Sequence, residues 1–123
     1  SKEPLFSSAE RCDLIAENME NLPARVVPFD GLVVDFARSM QATVLIRGLR
    51  AVSDFEFEFQ MTQMNRELAP DVETIFLMPG DRYFFTSSTI MKQVARHDPE
   101  RIEKFVPENV AEALRKKFNH SAL

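Results

Sequence analysis

The sequence predicts an α/β fold, an open parallel sheet with flanking helices. Three observations predict it: short apolar runs that stop abruptly, amphipathic stretches that alternate with them, and capping residues where those stretches begin. Ala42-Thr43-Val44-Leu45-Ile46 has the pattern of a strand buried on both faces and ends at Arg47-Gly48-Leu49-Arg50. Thr74-Ile75-Phe76-Leu77-Met78 is a second such strand, stopped by Pro79-Gly80.

Taken in order, Ser7-Ser8-Ala9-Glu10 is a capping box. Cys12, Ile15, Ala16 and Met19 follow on one helical face up to the Asn21-Leu22-Pro23 break. Arg25-Val26-Val27, short and β-branched before Pro28, reads as a strand. Beyond Asp30-Gly31, the positions Val33, Phe36, Ala37 and Met40 form a second helical stripe. Residues 55–59, Phe-Glu-Phe-Glu-Phe, alternate as a strand does. A helix is nonetheless predicted, because Ser53-Asp54-Phe55-Glu56 is another capping box and Phe57, Met61, Met64 and Leu68 share a helical face. Phe55 and Phe59 sit elsewhere on this helix and imply a second buried face, while Glu58 and Asn65 are expected on its surface. Thr86-Ser87-Ser88-Thr89 opens a helix bearing Ile90, Met91, Val94 and Ala95; Asp98-Pro99 opens a short one. Pro107 opens the last, with Val110, Leu114 and Phe118 inward. No repeat or linker interrupts the chain, and residues 1–123 are expected to form a single domain.

The 123 residues are 45% hydrophobic and 28% charged, the composition of a globular domain rather than a disordered tail. No run of apolar residues is long enough to span a membrane and the first residues lack the pattern of a signal peptide, so a cytoplasmic protein is expected. The single cysteine, Cys12, reads as a small packing residue. A net charge of -4 argues against a broad nucleic-acid surface and leaves room only for local anion binding. His97 after Arg96 suits a helix C-terminus better than a metal, and the acidic, His and Cys residues show no spacing for a protein-built metal site.

Ligands of open α/β sheets sit beyond the carboxyl ends of the strands, where two candidate sites fall. Arg47 and Arg50 flank Gly48, which permits close backbone approach, and each guanidinium can grip a phosphate; spacing alone favours two solvated loop arginines. In Thr86-Ser87-Ser88-Thr89, hydroxyls coincide with the unsatisfied amides of a helix N-terminus, which suits either an anion or simple capping. Tyr83, Phe84 and Phe85 upstream can stack on a base or pack. Residue chemistry by itself reaches a phosphate-binding α/β domain.

The segment Ala42 to Met64, centred on Ile46-Arg47-Gly48-Leu49-Arg50-Ala51-Val52-Ser53-Asp54-Phe55-Glu56, resembles the phosphopantetheine adenylyltransferases of the nucleotidyltransferase superfamily. The likeness runs in register from Ser1-Lys2-Glu3-Pro4-Leu5-Phe6 through Met64-Asn65-Arg66 and Phe76-Leu77-Met78-Pro79 to Phe105-Val106-Pro107-Glu108. It implies a Rossmann-like sheet and transfer of the adenylyl group of ATP to 4′-phosphopantetheine, giving dephospho-coenzyme A and pyrophosphate. By the resemblance, Lys2, Leu32, Val33, Arg47 and Asn65 face phosphopantetheine. Gly48, Leu49, Arg50 and Glu58, with Tyr83, Phe84, Phe85, Thr86, Ser87, Ser88 and Thr89, face ATP. Phe84 stands where the family usually has Ser, and Thr86 where it usually has Ile. The resemblance further implies magnesium (Mg2+) bound with ATP, coenzyme A as a competing ligand, and a homohexamer.

The family's glycine-rich first turn and its His signature have no counterpart here: the histidines are His97 and His120, so no catalytic residue is identified in this chain. The resemblance thus implies that the first strands are absent from this chain, as in a fragment, a nicked product or a protein with a disordered start, and that the chain alone is inactive. Two other readings stand beside this one. They are a related nucleotidyltransferase with another substrate, against which the Arg47 to Asn65 match weighs, and a noncatalytic nucleotide or coenzyme A binding module.

Overall fold

The computed structural model describes residues 3–50, 52–80 and 86–119, with the backbone alone at Val52 and Ser53. The chain divides into two compact units, Phe29–Phe85 and a second made of Ser1–Pro28 with Thr86–Leu123.

In the first unit, Gly31 takes a φ of 90°, a left-handed conformation that glycine adopts without strain, and its N–H donates to Asp30 Oδ1 at 3.2 Å. This turn leads into α1, Val33–Ser39. That helix closes in a Schellman motif, the Ala42 N–H donating to the Ala37 carbonyl at 2.8 Å and the Gln41 N–H to the Arg38 carbonyl at 3.0 Å. The motif drives Gln41 to a φ of 59°. Strands β1, Val44–Gly48, and β2, Glu73–Leu77, then pair in parallel, Val44 beside Glu73 and Gly48 beside Leu77. A parallel pair needs a crossover, and α2, Val52–Leu68, supplies it.

Alternation along the strands puts Leu45, Arg47, Thr74 and Phe76 on one face and Val44, Ile46, Ile75 and Leu77 on the other. Leu45 packs on a core of Val34, Ala37, Ala69 and Val72. The opposite face is open, with Ile46 66% and Leu77 58% exposed. The apolar runs had implied burial on both faces; within this unit only the Leu45 side is covered by described residues.

The alternating run 55–59 is helical, as expected, but α2 turns the other way from the amphipathic expectation. Phe57, Met61, Met64 and Leu68 are exposed, whereas Glu58 and Thr62 are half-buried and Asn65 is buried. Ser53 also lies inside the helix rather than at its cap, since α2 starts at Val52.

In the second unit, the predicted capping box is present at the start of α3, which we assign to Ser8–Glu17: Ser7 Oγ accepts from the Glu10 N–H at 3.1 Å and Glu10 Oε1 from the Ser7 N–H at 2.9 Å. The expected apolar stripe is only partly covered, Cys12 and Met19 being half-buried and Ile15 and Ala16 exposed. Polar clamps fasten this helix instead: Asn109 Nδ2 donates to the Leu14 carbonyl at 3.0 Å, and Asn18 Nδ2 donates to Asn109 Oδ1 at 2.9 Å. Helix α4, Ser88–His97, a 3₁₀ turn at Arg101–Lys104 and α5, Glu108–Asn119, enclose Ala95, Ile102, Ala111 and Leu114, with Val110 and Phe118 packed around them as predicted. Residues 25–27, expected as a strand, form none, because β-branched propensity needs a strand to pair with and the sheet consists of β1 and β2. Pro23 and Pro28 bracket them and have no N–H to donate to a ladder.

Candidate functional site

The reversed orientation of α2 builds a cavity in the first unit. About 250 Å³ in volume, it is lined by Arg47 and Thr74 from the covered sheet face and by Glu58, Thr62 and Asn65 from α2. Phe29, Gly31, Leu32 and Val33 form another part of its lining, and Phe57 and Met61 contribute apolar surface. Phe29 is held by stacking on Phe36, ring centroids 4.7 Å apart. Glu58, Thr62 and Asn65 follow at helical spacing on one face, so the polar strip extends about 10 Å along the axis.

Charge is concentrated at Arg47. Its Nη2 donates to Glu58 Oε1 at 2.7 Å and its Nε to Glu58 Oε2 at 3.1 Å, a two-pronged pair. The hydrogen bonds to Glu58 hold the guanidinium pKa above its usual range, against a smaller opposing effect of burial. The Glu58 side chain is 13% exposed and that of Arg47 48%, so the carboxylate is sheltered while the guanidinium is open to solvent. The cavity thus offers a guanidinium backed by a carboxylate, neutral hydrogen-bonding side chains and apolar walls, and its exposed guanidinium suits an anion that carries an amphipathic arm.

Four residues expected to face one ligand, Leu32, Val33, Arg47 and Asn65, line this cavity together. Glu58, grouped by the resemblance with the nucleotide residues, stands in it as well. Gly48, Leu49 and Arg50 leave the end of β1 and are not part of its lining. Leu49 donates to the Leu77 carbonyl at 2.9 Å, the Arg50 N–H donates to Asp54 Oδ2 at 3.3 Å, and Arg50 Nε lies 3.7 Å from the same oxygen.

In the second unit, Ser87 caps α4, its hydroxyl accepting from the Ile90 N–H at 3.2 Å. Capping is therefore present, and the Ser88 and Thr89 N–H groups still begin the helix without an intrahelical acceptor. Thr86 and Ser87 are half-buried, Ser88 and Thr89 exposed. Lys2, Tyr83, Phe84 and Phe85 lie outside the described residues. Among the described residues no three His, Cys, Asp or Glu side chains gather to hold a metal, and no helix is long and apolar enough to cross a membrane. His97 ends α4 in a last turn shared with Arg96.

Thr62, Thr74, Phe29, Gly31, Phe57 and Met61 also line the cavity, and none of them was expected as a site residue from the sequence. Thr62 alone had a signal, its place four residues beyond Glu58 and three before Asn65.

The chain matches the family model described as cytidylyltransferase-like over residues 1–94. It is 50% identical over 119 residues to a protein of Methylococcus capsulatus named phosphopantetheine adenylyltransferase, an alignment covering 96% of this chain and 73% of that protein.

Proposed function

This chain belongs to the phosphopantetheine adenylyltransferases, within the cytidylyltransferase-like family, and on that premise we propose that it serves transfer of the adenylyl group of ATP to 4′-phosphopantetheine, yielding dephospho-coenzyme A and pyrophosphate. The observation that supports the reading best is the convergence of Leu32, Val33, Arg47 and Asn65 on one cavity with a single cationic centre. Arg47 takes the phosphate of phosphopantetheine, and Thr62 and Asn65 offer hydrogen bonds to the amides of its arm. Phe29, Leu32, Phe57 and Met61 cover the aliphatic parts.

In the reaction an oxygen of the phosphopantetheine phosphate attacks the α-phosphorus of ATP in line, and the bond to the bridging oxygen of the β-phosphate breaks to release pyrophosphate. No covalent enzyme intermediate is formed, so the chain's task is alignment and neutralisation of charge. The first amides of α4, at Ser88 and Thr89, are suited to phosphate oxygens. Gly48, Leu49 and Arg50, and likewise Tyr83, Phe84, Phe85, Thr86 and Ser87, are given to ATP on the resemblance alone. Lys2 is assigned to phosphopantetheine on the resemblance alone. Magnesium would neutralise phosphate charge when it arrives with ATP; the described residues hold no cage of His, Cys, Asp or Glu for it. Coenzyme A as a competitor for the cavity, a cytoplasmic location and a homohexamer belong to the same proposal, the last supported by the exposed Phe55, Phe59 and Met64 on α2.

Calorimetric titration of the native enzyme and its Arg47→Ala variant with 4′-phosphopantetheine and, separately, with an ATP analogue tests the reading. The variant is expected to lose phosphopantetheine affinity and keep that for the nucleotide. Equal phosphopantetheine affinity in both proteins would remove the cavity from the substrate site.

A further inference from the structure

Resting on the reading of Arg47 as the phosphopantetheine phosphate ligand, we infer that Glu58 is a positioning residue: it holds the Arg47 guanidinium in place for the phosphate. Both Glu58 carboxylate oxygens are engaged by Arg47, at 2.7 and 3.1 Å. A carboxylate is an acceptor only, and with both oxygens turned to one guanidinium it fixes the plane of that guanidinium. Exposure points the same way, since the shielded member of the pair is Glu58 at 13% and the open one is Arg47 at 48%. The carboxylate backs the guanidinium.

Glu58 uses the Nε and one N–H of Nη2, leaving the Nη1 edge with no acceptor among the described residues. A planar guanidinium gripped along one edge is fixed in orientation and still offers donors to a phosphate. An arginine without that grip would lose its side-chain freedom at each binding event, and affinity would fall accordingly. The two partners stand on different elements, Arg47 in β1 and Glu58 in α2, so the pair also sets the width of the cavity at its charged end.

The test is a double-mutant cycle in the native enzyme with Glu58→Ala, Glu58→Gln and Arg47→Ala, reading the Kd for 4′-phosphopantetheine and for an ATP analogue separately. Glu58→Ala is expected to weaken phosphopantetheine by about tenfold, and to add less than about twofold when Arg47 is already Ala. Glu58→Gln keeps the shape and one acceptor and is expected to recover most of the loss; it also carries the test if the Ala variant does not fold, through a weakening of phosphopantetheine binding of about twofold or more that disappears when Arg47 is Ala. Unchanged or tighter phosphopantetheine binding in the Glu58 variants would overturn the inference, as would a loss confined to the nucleotide. An unchanged Kd in Arg47→Ala would instead strike the underlying reading.

Discussion

The Arg47 guanidinium and the Glu58 carboxylate meet through two hydrogen bonds, at 2.7 and 3.1 Å, and so tie the end of β1 to the inner face of α2 at the charged end of the cavity. Removing Arg47 leaves a sheltered carboxylate without its partner as well as deleting the proposed phosphate ligand. Arg47→Ala is therefore expected to cost about 2–5 kcal/mol of phosphopantetheine binding. Its melting temperature should also fall, because Glu58 must regain solvent. Titration and a thermal melt on the same sample check both.

Gln41 occupies the left-handed position of the Schellman motif that ends α1, with φ at 59°. A side chain there is strained where glycine is not. Gln41→Gly should stabilise the protein by about 0.5–1 kcal/mol, the gain being limited by the greater freedom of glycine in the unfolded chain. Denaturant unfolding should show a higher midpoint at an unchanged slope; a lower midpoint would mean that the Gln41 side chain contributes more than the strain removes.

The capping box at Ser7 and Glu10 makes stability depend on pH. The Ser7 backbone N–H, then its hydroxyl, hold the Glu10 carboxyl below its ordinary value. The Arg38 guanidinium does the same for Asp71. A folded pKa below the unfolded one means that the stabilisation is present above the unfolded value, near pH 4, and is lost as pH falls through the folded value. Glu10→Gln should therefore melt lower than the native protein near neutral pH, and the difference should close on acidification below about pH 4. Ser7→Ala should cost about 1 kcal/mol through the lost cap.

Phe55 and Phe59 stack with centroids 5.8 Å apart on the outer side of α2, both about half exposed. Apolar surface of this kind favours a protein partner, and a second copy of the chain is the occupant proposed. The native protein should scatter light as an oligomer at micromolar concentration, and a Phe55→Glu, Phe59→Glu double variant as smaller species. A native protein that stays monomeric under those conditions would rule the assembly out.

Ser87 uses its hydroxyl to cap α4, so Ser87→Ala should lower stability by about 1 kcal/mol whether or not an anion binds there. If the α4 amides also hold ATP phosphates, the same variant should weaken an ATP analogue while leaving phosphopantetheine affinity intact. Paired melts and titrations separate the two effects.

Local chemistry made several features legible in the sequence. Ser7 and Glu10 satisfy each other's backbone donors within one turn, so that helix start needed no tertiary information. The Phe-Glu alternation was resolved as helix by the repeat of apolar residues over the following turns. The apolar runs ending at Arg47 and at Pro79 marked both strands, and the resemblance, running in register well beyond Ala42 to Met64, carried Leu32, Val33, Arg47 and Asn65, which converge in space.

What the sequence by itself determined was thus the existence and type of the long elements, because caps, turns and periodicity act over a few residues. Which face of α2 turns inward was decided only in three dimensions. Periodicity reports that Phe57, Met61, Met64 and Leu68 share a side, but not what that side meets, and here Glu58 and Asn65 are drawn in by Arg47 and the cavity while the apolar side stays exposed. Residues 25–27 show the same limit from the other direction: a β-branched stretch becomes a strand only beside another strand, and no sequence window contains the partner.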